Sequence, residues 1–146
     1  MHILVNTLHV VTAVFIVGPM AILPMTAMRS IRAGQAGQVA TIAKSVNIFT
    51  LLSIVVTIFG FGALGLKEAD DTWTFASTWV WLSLVLYVVA LAINLFLVVP
   101  SLRSAAKALA EGPASVRAAS YPQIAAGSGV ASLLLVLVVV LMVWKP

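Results

Sequence analysis

His9 is the side chain in this sequence with the clearest capacity for chemistry. It is one of two histidines, and it lies near the start of the first long apolar stretch. A neutral imidazole can ligate haem iron or copper, and an ionisable group inside a membrane span is a candidate functional group. Asn6 and Thr12 lie three residues before and after it on one side of a helix, so they could orient the ring or bind a polar group of a ligand. These three residues form the candidate cofactor-binding site.

A structural role for His9 is the competing interpretation, because an imidazole near the membrane interface can hydrogen-bond to a neighbouring helix or to water. His2 lies about two helical turns earlier on the same face, but we expect it outside the membrane or at a frayed helix end. Two histidine ligands to one haem are therefore not expected from this chain. A five-coordinate haem, a methionine partner such as Met20 or Met25, or a ligand from another subunit stays open.

Four long apolar stretches must position these residues. Hydrophobic residues make up 62% of the 146 residues and charged residues only 8%, whereas soluble domains average about 45–50% and about 25%. The stretches cover approximately 3–28, 47–66, 75–100 and 123–144, and each supplies the roughly 20 apolar residues that a spanning helix needs. No stretch alternates with the period of two expected of a membrane strand. The sequence predicts one domain, residues 1–146, folded as an all-α four-transmembrane-helix bundle.

The basic residues predict the orientation of the bundle. Six of the eight lie in the first and third connections, whereas the second connection contains the acidic run 67–71. The six are Arg29, Arg32, Lys44, Arg103, Lys107 and Arg117. By the positive-inside rule, both basic connections lie in the cytoplasm and both termini lie outside. Apolar residues at helical spacing in 39–46, and the alanine-rich segment 105–110, predict short interfacial helices on the membrane surface.

Several classes of function conflict with the composition. The absence of cysteine excludes disulfides and thiolate metal sites, and no span contains Asp, Glu, Lys or Arg, which argues against a proton-coupled pump or an ion exchanger. Because the basic residues report membrane topology, no nucleic-acid partner is expected. Small residues four apart, such as Ala125 with Gly129 and Gly127 with Ala131, predict close helix packing. The expected partners are the lipid bilayer and either other membrane protein subunits or further copies of the chain.

A faint internal repeat links the first and third stretches. Leu23-Pro24 is followed by Arg29-Ser30, and Val99-Pro100 is followed by Arg103-Ser104. Paired in this way, each half of the chain is a hairpin with a basic connection. The two hairpins would run in parallel about an axis along the membrane normal.

The segment from Leu8-His9 to Gly18-Pro19 resembles the opening helix of a small bacterial membrane protein family, domain-of-unknown-function family 2269. Its members have about this length, four predicted spans, and a Leu-His followed by an apolar run and Gly. More distantly, the segment is similar to the copper resistance protein D domain and to HemJ-type protoporphyrinogen oxidase. The latter resemblance implies that His9 ligates haem. Those enzymes also use an intramembrane lysine, and no span here contains one. The copper proteins would be expected to have more His or Met ligands facing the outside, and these are missing too. The bacterial family implies a multi-pass protein of the cytoplasmic membrane.

Two functions follow as predictions. The first is a non-catalytic accessory or assembly subunit of a larger membrane complex, indicated by small-residue helix faces and by the lack of a catalytic constellation in the sequence. The alternative is a protein that handles haem, a porphyrin or a metal ion at His9. A carrier of a small solute is a third and less favoured class.

Overall fold

A computed structural model describes residues 1–66, 74–112 and 121–146 of the chain. Within them, four long helices follow one another: α1 His2–Arg32, α2 Ala36–Gly65, α3 Thr78–Glu111 and α4 Tyr121–Trp144. Each is long and apolar enough to cross a membrane. The predicted all-α bundle with four membrane-spanning helices is thereby confirmed. The acidic run 67–71 and Arg117, on which part of the predicted orientation rests, lie outside the described residues.

The four helices form a closed ring in which each helix runs antiparallel to the next and α4 returns to α1. Every interface of the ring contains a side-chain hydrogen bond: His9 with Val56 (α1–α2), Ser53 with Tyr87 (α2–α3), Ser101 with Gln123 (α3–α4) and Ser132 with Ala21 (α4–α1). Both chain termini therefore lie at one end of the bundle, named here the terminal end. The opposite end, where α1 and α3 end, is named the loop end. Which end faces the cytoplasm stays a prediction.

The core of the bundle lies in its loop half, where all four helices meet. Its buried side chains come from every helix: Ala27, Ile31, Val39, Ala43, Val46, Val98, Val99, Leu102, Ala105, Ala106, Leu109 and Ile124. In the terminal half, α1 packs against α2 and α3 packs against α4, but the two pairs make few contacts with each other. The bundle is thus closed in its loop half and divided into two pairs in its terminal half, and a cavity lies between the pairs.

The predicted interfacial helices are helical, but they are not separate from the spanning helices. Residues 39–46 belong to α2, which runs unbroken from Ala36, and 105–110 belong to α3, which ends at Glu111. Apolar side chains of both segments, such as Val39, are buried in the core. Their helical spacing therefore reflects contact between two neighbouring helices and not contact with the membrane surface, because a facing helix buries an apolar stripe more completely than lipid headgroups do.

Two widened π turns interrupt α1 and α3 near their midpoints, at Ala13–Val17 and Asn94–Val98. A proline follows each turn closely, Pro19 in α1 and Pro100 in α3. Proline has no N–H to donate to the carbonyl four residues earlier, and its ring clashes with that carbonyl. An added residue in the turn moves this carbonyl away from the ring, which explains why both π turns lie just before a proline.

These turns give the internal repeat a different register from the pairing of Pro24 with Pro100. The matching segments are Phe15-Ile-Val-Gly-Pro19 and Phe96-Leu-Val-Val-Pro100, each with the same Phe, Val and Pro positions. Pro24 lies instead in the regular helical segment Gly18–Arg32, and no widened turn accompanies it. The two hairpins thus share one feature near mid-helix, as two parallel repeats about the long axis of the bundle would.

A candidate ligand cavity around His9

A cavity of about 1270 Å³ lies between the two helix pairs in the terminal half of the bundle. Ligand pockets commonly measure about 300–1,000 Å³, so this one can hold a ligand of considerable size. Most of its lining is aliphatic. Polar side chains line it from all four helices: His2, Asn6 and His9 on α1, Ser53 and Thr57 on α2, Ser83 and Tyr87 on α3, and Ser132 on α4.

His9 makes a hydrogen bond that determines which of its ring nitrogens is free. Its Nδ1 lies 2.9 Å from the main-chain oxygen of Val56 on α2. A carbonyl oxygen can only accept, so Nδ1 carries the proton and donates it, and in the neutral ring Nε2 keeps its lone pair. Nε2 makes no hydrogen bond to any described residue, and His9 lines the cavity. The structural and the ligand-binding interpretations of His9 therefore apply to different nitrogens of the same ring.

The ring of His9 rests on Gly60 of α2. A Cβ atom on this glycine would lie 2.9 Å from Cε1 and 3.2 Å from Nδ1 of the imidazole, closer than the roughly 3.5–4.0 Å of a favourable carbon contact. Glycine therefore allows the ring to approach α2 closely enough to reach the Val56 oxygen. Gly62 plays a similar part nearby, because a Cβ there would lie 3.2 Å from Cγ1 of Val5. The glycine-rich end of α2 is thus the surface on which the terminal half of α1 packs.

Asn6 and Thr12, the other two predicted site residues, lie on different sides of His9. Helix geometry places them about 60° to either side of it. Asn6 is on the side that lines the cavity. Thr12 is on the other side, where its hydroxyl donates within α1 to the main-chain oxygens of Leu8 (2.6 Å) and His9 (3.1 Å). The structure therefore brings Asn6 and His9 together at the cavity but does not bring Thr12 there.

His2 is the first residue of α1 and lines the same cavity, so it is not at a frayed helix end. Its expected position outside the membrane stays a prediction. Its Nδ1 is buried and has no hydrogen-bond partner in the described part of the chain. His2 lines the cavity because the helix is already formed at this residue. His2 and His9, seven residues apart, therefore lie on the same helix face.

Ser53, Ser83 and Tyr87 contribute polar groups to the cavity wall that the sequence does not single out as a site. The Ser53 hydroxyl donates to the main-chain oxygen of Thr50 (2.6 Å), so the hydrogen bond of 2.7 Å between Ser53 and Tyr87 is donated by the tyrosine. Ser83 lies one turn before Tyr87, and its buried hydroxyl has no partner among the described residues. The available signal was a tyrosine deep in an apolar span, because a buried tyrosine hydroxyl usually finds a hydrogen-bond partner.

The cavity is open between the terminal halves of α1 and α4. Exposed aliphatic side chains of both helices line it there: Val10, Val14, Val136 and Val139. Nearer the loop end, α4 closes onto α1, where the Ser132 hydroxyl donates to the main-chain oxygen of Ala21 (2.9 Å). In a membrane this opening faces the acyl chains, so an apolar ligand can reach the cavity from the bilayer.

These features define an integral membrane protein, a four-helix bundle with its core in one half and a histidine-lined cavity in the other. The chain belongs to the family described as predicted integral membrane protein (DUF2269), whose model matches residues 3–146. No curated protein and no solved structure matches the chain. The family predicted from the first helix is thus confirmed, whereas the distant similarity to copper resistance protein D and HemJ-type proteins is not shown by these comparisons.

Proposed function

We propose that this protein binds haem or a closely related porphyrin in the cavity, with Nε2 of His9 as the ligand of the iron. The observation that carries the proposal is the 2.9 Å hydrogen bond from Nδ1 to the Val56 oxygen. Metal-ligating histidines characteristically donate their second nitrogen to a carbonyl or carboxylate, which fixes the tautomer and makes the ligating nitrogen more basic. His9 has this arrangement at the wall of a large and mainly aliphatic cavity.

The rest of the cavity suits a porphyrin in size and polarity. Its volume of about 1270 Å³ and its aliphatic walls from all four helices suit a large, flat, apolar ring. Lys145 also lines it, near the C-terminus, and a cationic group there favours the carboxylates of a porphyrin. A bound haem would supply an iron centre for electron transfer or for binding a small ligand. The part of the protein is to ligate that iron and to surround the ring with apolar side chains.

The donor set favours a porphyrin over a bare metal ion. Across residues 1–66, 74–112 and 121–146, no three His, Cys, Asp or Glu side chains come close enough together to hold a metal ion. A transition-metal ion held by protein groups alone takes three or four such ligands. A porphyrin brings four nitrogens of its own, so one imidazole completes a five-coordinate iron.

The variant His9→Asn separates iron ligation from structural hydrogen bonding. The amide nitrogen of asparagine can replace Nδ1 and donate to the Val56 oxygen, but asparagine has no second nitrogen to ligate iron. The full chain, purified in mild detergent, is titrated with haemin while the Soret band is recorded. We expect wild type to shift this band. The affinity of His9→Asn should fall by more than the roughly 10–100-fold that loss of an outer-shell partner costs.

His2→Asn is the matched control, since it makes the same change in the same cavity. It should keep the haemin affinity of wild type, and thermal melting followed by circular dichroism should show that both variants are folded. Three results would contradict the proposal. Wild type could leave the Soret band unshifted, His9→Asn could bind haemin as tightly as wild type, or the loss could follow His2→Asn instead.

Association with other membrane subunits, or with further copies of the chain, stays a prediction with a separate test. Gly129 of α4 is half-buried, and a Cβ atom placed on it would meet no atom within 4 Å. The packing inside the bundle therefore leaves this part of the small-residue face unused, which suits a helix from another chain. Chemical crosslinking in native membranes should trap the protein in a larger species, whereas recovery of the monomer alone would count against an accessory subunit.

A further inference from the structure

A second recess lies at the loop end of the bundle, far from the His9 cavity. It is a groove of about 340 Å³ between α2 and α3. Six residues line it, three from each helix: Ala40, Ala43, Lys44, Arg103, Ala106 and Lys107. Because the small alanine side chains leave room between the helices, the groove has an alanine floor, and the three basic residues line it almost wholly with their aliphatic stems. We name it the basic groove.

The three cations of the basic groove lack partners in the described part of the chain. Lys44, Arg103 and Lys107 are exposed, and none of them forms a salt bridge or hydrogen bond with a described residue. Arg32, at the same end of the bundle, differs in that its guanidinium stacks over the ring of Tyr121 at 5.2 Å. Three like charges around one recess repel one another, and an anion between them would remove that repulsion. The arrangement thus favours a negatively charged ligand.

The position of the groove relative to the apolar stretches indicates which kind of anion it fits. Lys44 lies three residues before the apolar stretch 47–66, and Arg103 lies three residues after Pro100, where the stretch 75–100 ends. Three helical residues rise by about 4.5 Å, and the headgroup region extends roughly 5–7 Å beyond the hydrocarbon core on each side. This spacing indicates that both cations lie at the depth of lipid phosphates, with Lys107 about one turn farther from the membrane centre.

Apolar side chains continue the same two helix faces from the groove toward the membrane centre. On α2, Ile48 and Leu51 are one and two turns from Lys44, and both are exposed. On α3, Phe96 is two turns before Arg103 and 80% exposed. Acyl chains of a lipid whose phosphate sits in the groove would cover these side chains. A soluble phosphate ion would leave them unused.

We propose that the basic groove binds the phosphate of an anionic membrane lipid, with Lys44, Arg103 and Lys107 around the phosphate and the acyl chains along α2 and α3. Basic pockets between membrane helices are suited to anionic headgroups. A zwitterionic lipid carries a phosphate but no net charge, so it would reduce the repulsion among the three cations less than an anionic lipid would. This site is independent of the His9 cavity and of any haem in it.

Native mass spectrometry of the full chain tests the proposal. Protein in detergent is titrated with phosphatidylglycerol or with phosphatidylcholine, and the number of retained lipids gives an apparent affinity. The informative pair of variants is Arg103→Gln and Arg29→Gln. Both remove one exposed arginine from the loop end, but Arg29 does not line the groove. Wild type should prefer phosphatidylglycerol. Arg103→Gln should weaken its binding by about fivefold, as expected for one charge near an anionic surface, while Arg29→Gln should not.

Two further measurements distinguish binding of a lipid from binding of a free phosphate ion. Lys44→Gln should match Arg103→Gln, and a millimolar excess of inorganic phosphate should not displace the lipid. The lipid assignment is overturned if a millimolar excess of inorganic phosphate displaces the lipid, if the two lipids bind alike, or if Arg29→Gln weakens binding as much as Arg103→Gln. Each variant is compared with its own phosphatidylcholine titration, so a general loss of stability cannot imitate the expected result.

Discussion

Replacing Gly60 by alanine tests the geometry of the His9 site by adding a single methyl group. The new Cβ would lie 2.9 Å from Cε1 and 3.2 Å from Nδ1 of the imidazole. To reach a carbon contact of about 3.5 Å, the ring must move away from α2 by about 0.6 Å. The hydrogen bond from Nδ1 to the Val56 oxygen, now 2.9 Å, would then stretch to about 3.5 Å, which is outside the range of N–H···O bonds.

Two opposing effects determine the stability of Gly60→Ala. Alanine in place of glycine inside a helix stabilises by roughly 0.5–1 kcal/mol, and loss of one interhelical hydrogen bond in a membrane costs about 0.6 kcal/mol. Their near cancellation means that the free energy of unfolding should change by less than about 1 kcal/mol. Haemin affinity has no such compensation, because an imidazole without its orienting partner typically loses about 10–100-fold in metal affinity. The expected signature is weakened binding at nearly unchanged stability.

Gly129→Ala is the matched control for this experiment. Gly129 is also inside a helix, but a Cβ there meets no atom within 4 Å, so the control gains helix propensity without touching His9. Haemin titration followed at the Soret band gives the affinity of both variants, and thermal melting gives their stability. Equal haemin affinities for the two variants would refute the claim that the Val56 bond orients the ring. A large loss of stability in Gly60→Ala alone would show that helix packing, and not ring orientation, is the main role of Gly60.

Two further substitutions test the polar wall of the cavity and the π turn of α1. Tyr87→Phe removes the hydroxyl that donates to Ser53 and should cost about 0.6 kcal/mol. A double-mutant cycle with Ser53→Ala measures this coupling, and strictly additive effects would contradict the hydrogen bond. Pro19→Ala removes the cause of the π turn and should weaken haemin binding, whereas Pro24→Ala, in the regular part of the same helix, should leave it unchanged. Equal haemin affinities of the two proline variants would contradict a role of the turn in placing His9.

Hydropathy was enough to predict the number and type of the helices, because every span needs about the same length of apolar helix to cross the lipid core. It did not predict where they end. The apolar stretch near the start of α2 begins at about residue 47, but the helix itself begins at Ala36. Residues 39–46 carry an amphipathic pattern that fits either the membrane surface or a facing helix. Residues 39–46 face another helix only if α3 extends as far as α2 at the loop end. The length of α3 there depends on how the whole bundle packs.

The site was predictable only in part, because its main contacts use groups that the sequence does not distinguish. His9 could be identified from its ionisable ring in an apolar stretch. Its partner is the main-chain oxygen of Val56, which any residue at that position would supply. Gly60 contributes because it has no Cβ atom, which leaves space for the His9 ring. That the ring packs there follows from the position of α1 against α2. Asn6 and Thr12 are equally spaced from His9, so the sequence does not show which of them lines the cavity.

The π turn of α1 explains how one helix serves both the core and the cavity. In an uninterrupted α-helix, His9 and Met20 are about three turns apart and would share one face. Met20 is fully buried, so His9 would also point to the centre of the bundle. The turn Ala13–Val17 takes up one additional residue, which rotates the terminal half of the helix by about 100° relative to the loop half. Met20 can therefore pack centrally while the His9 ring reaches the main chain of α2 and Nε2 makes no hydrogen bond to any residue that the structure describes. We therefore expect Pro19, which does not line the cavity, to influence the candidate site through helix register.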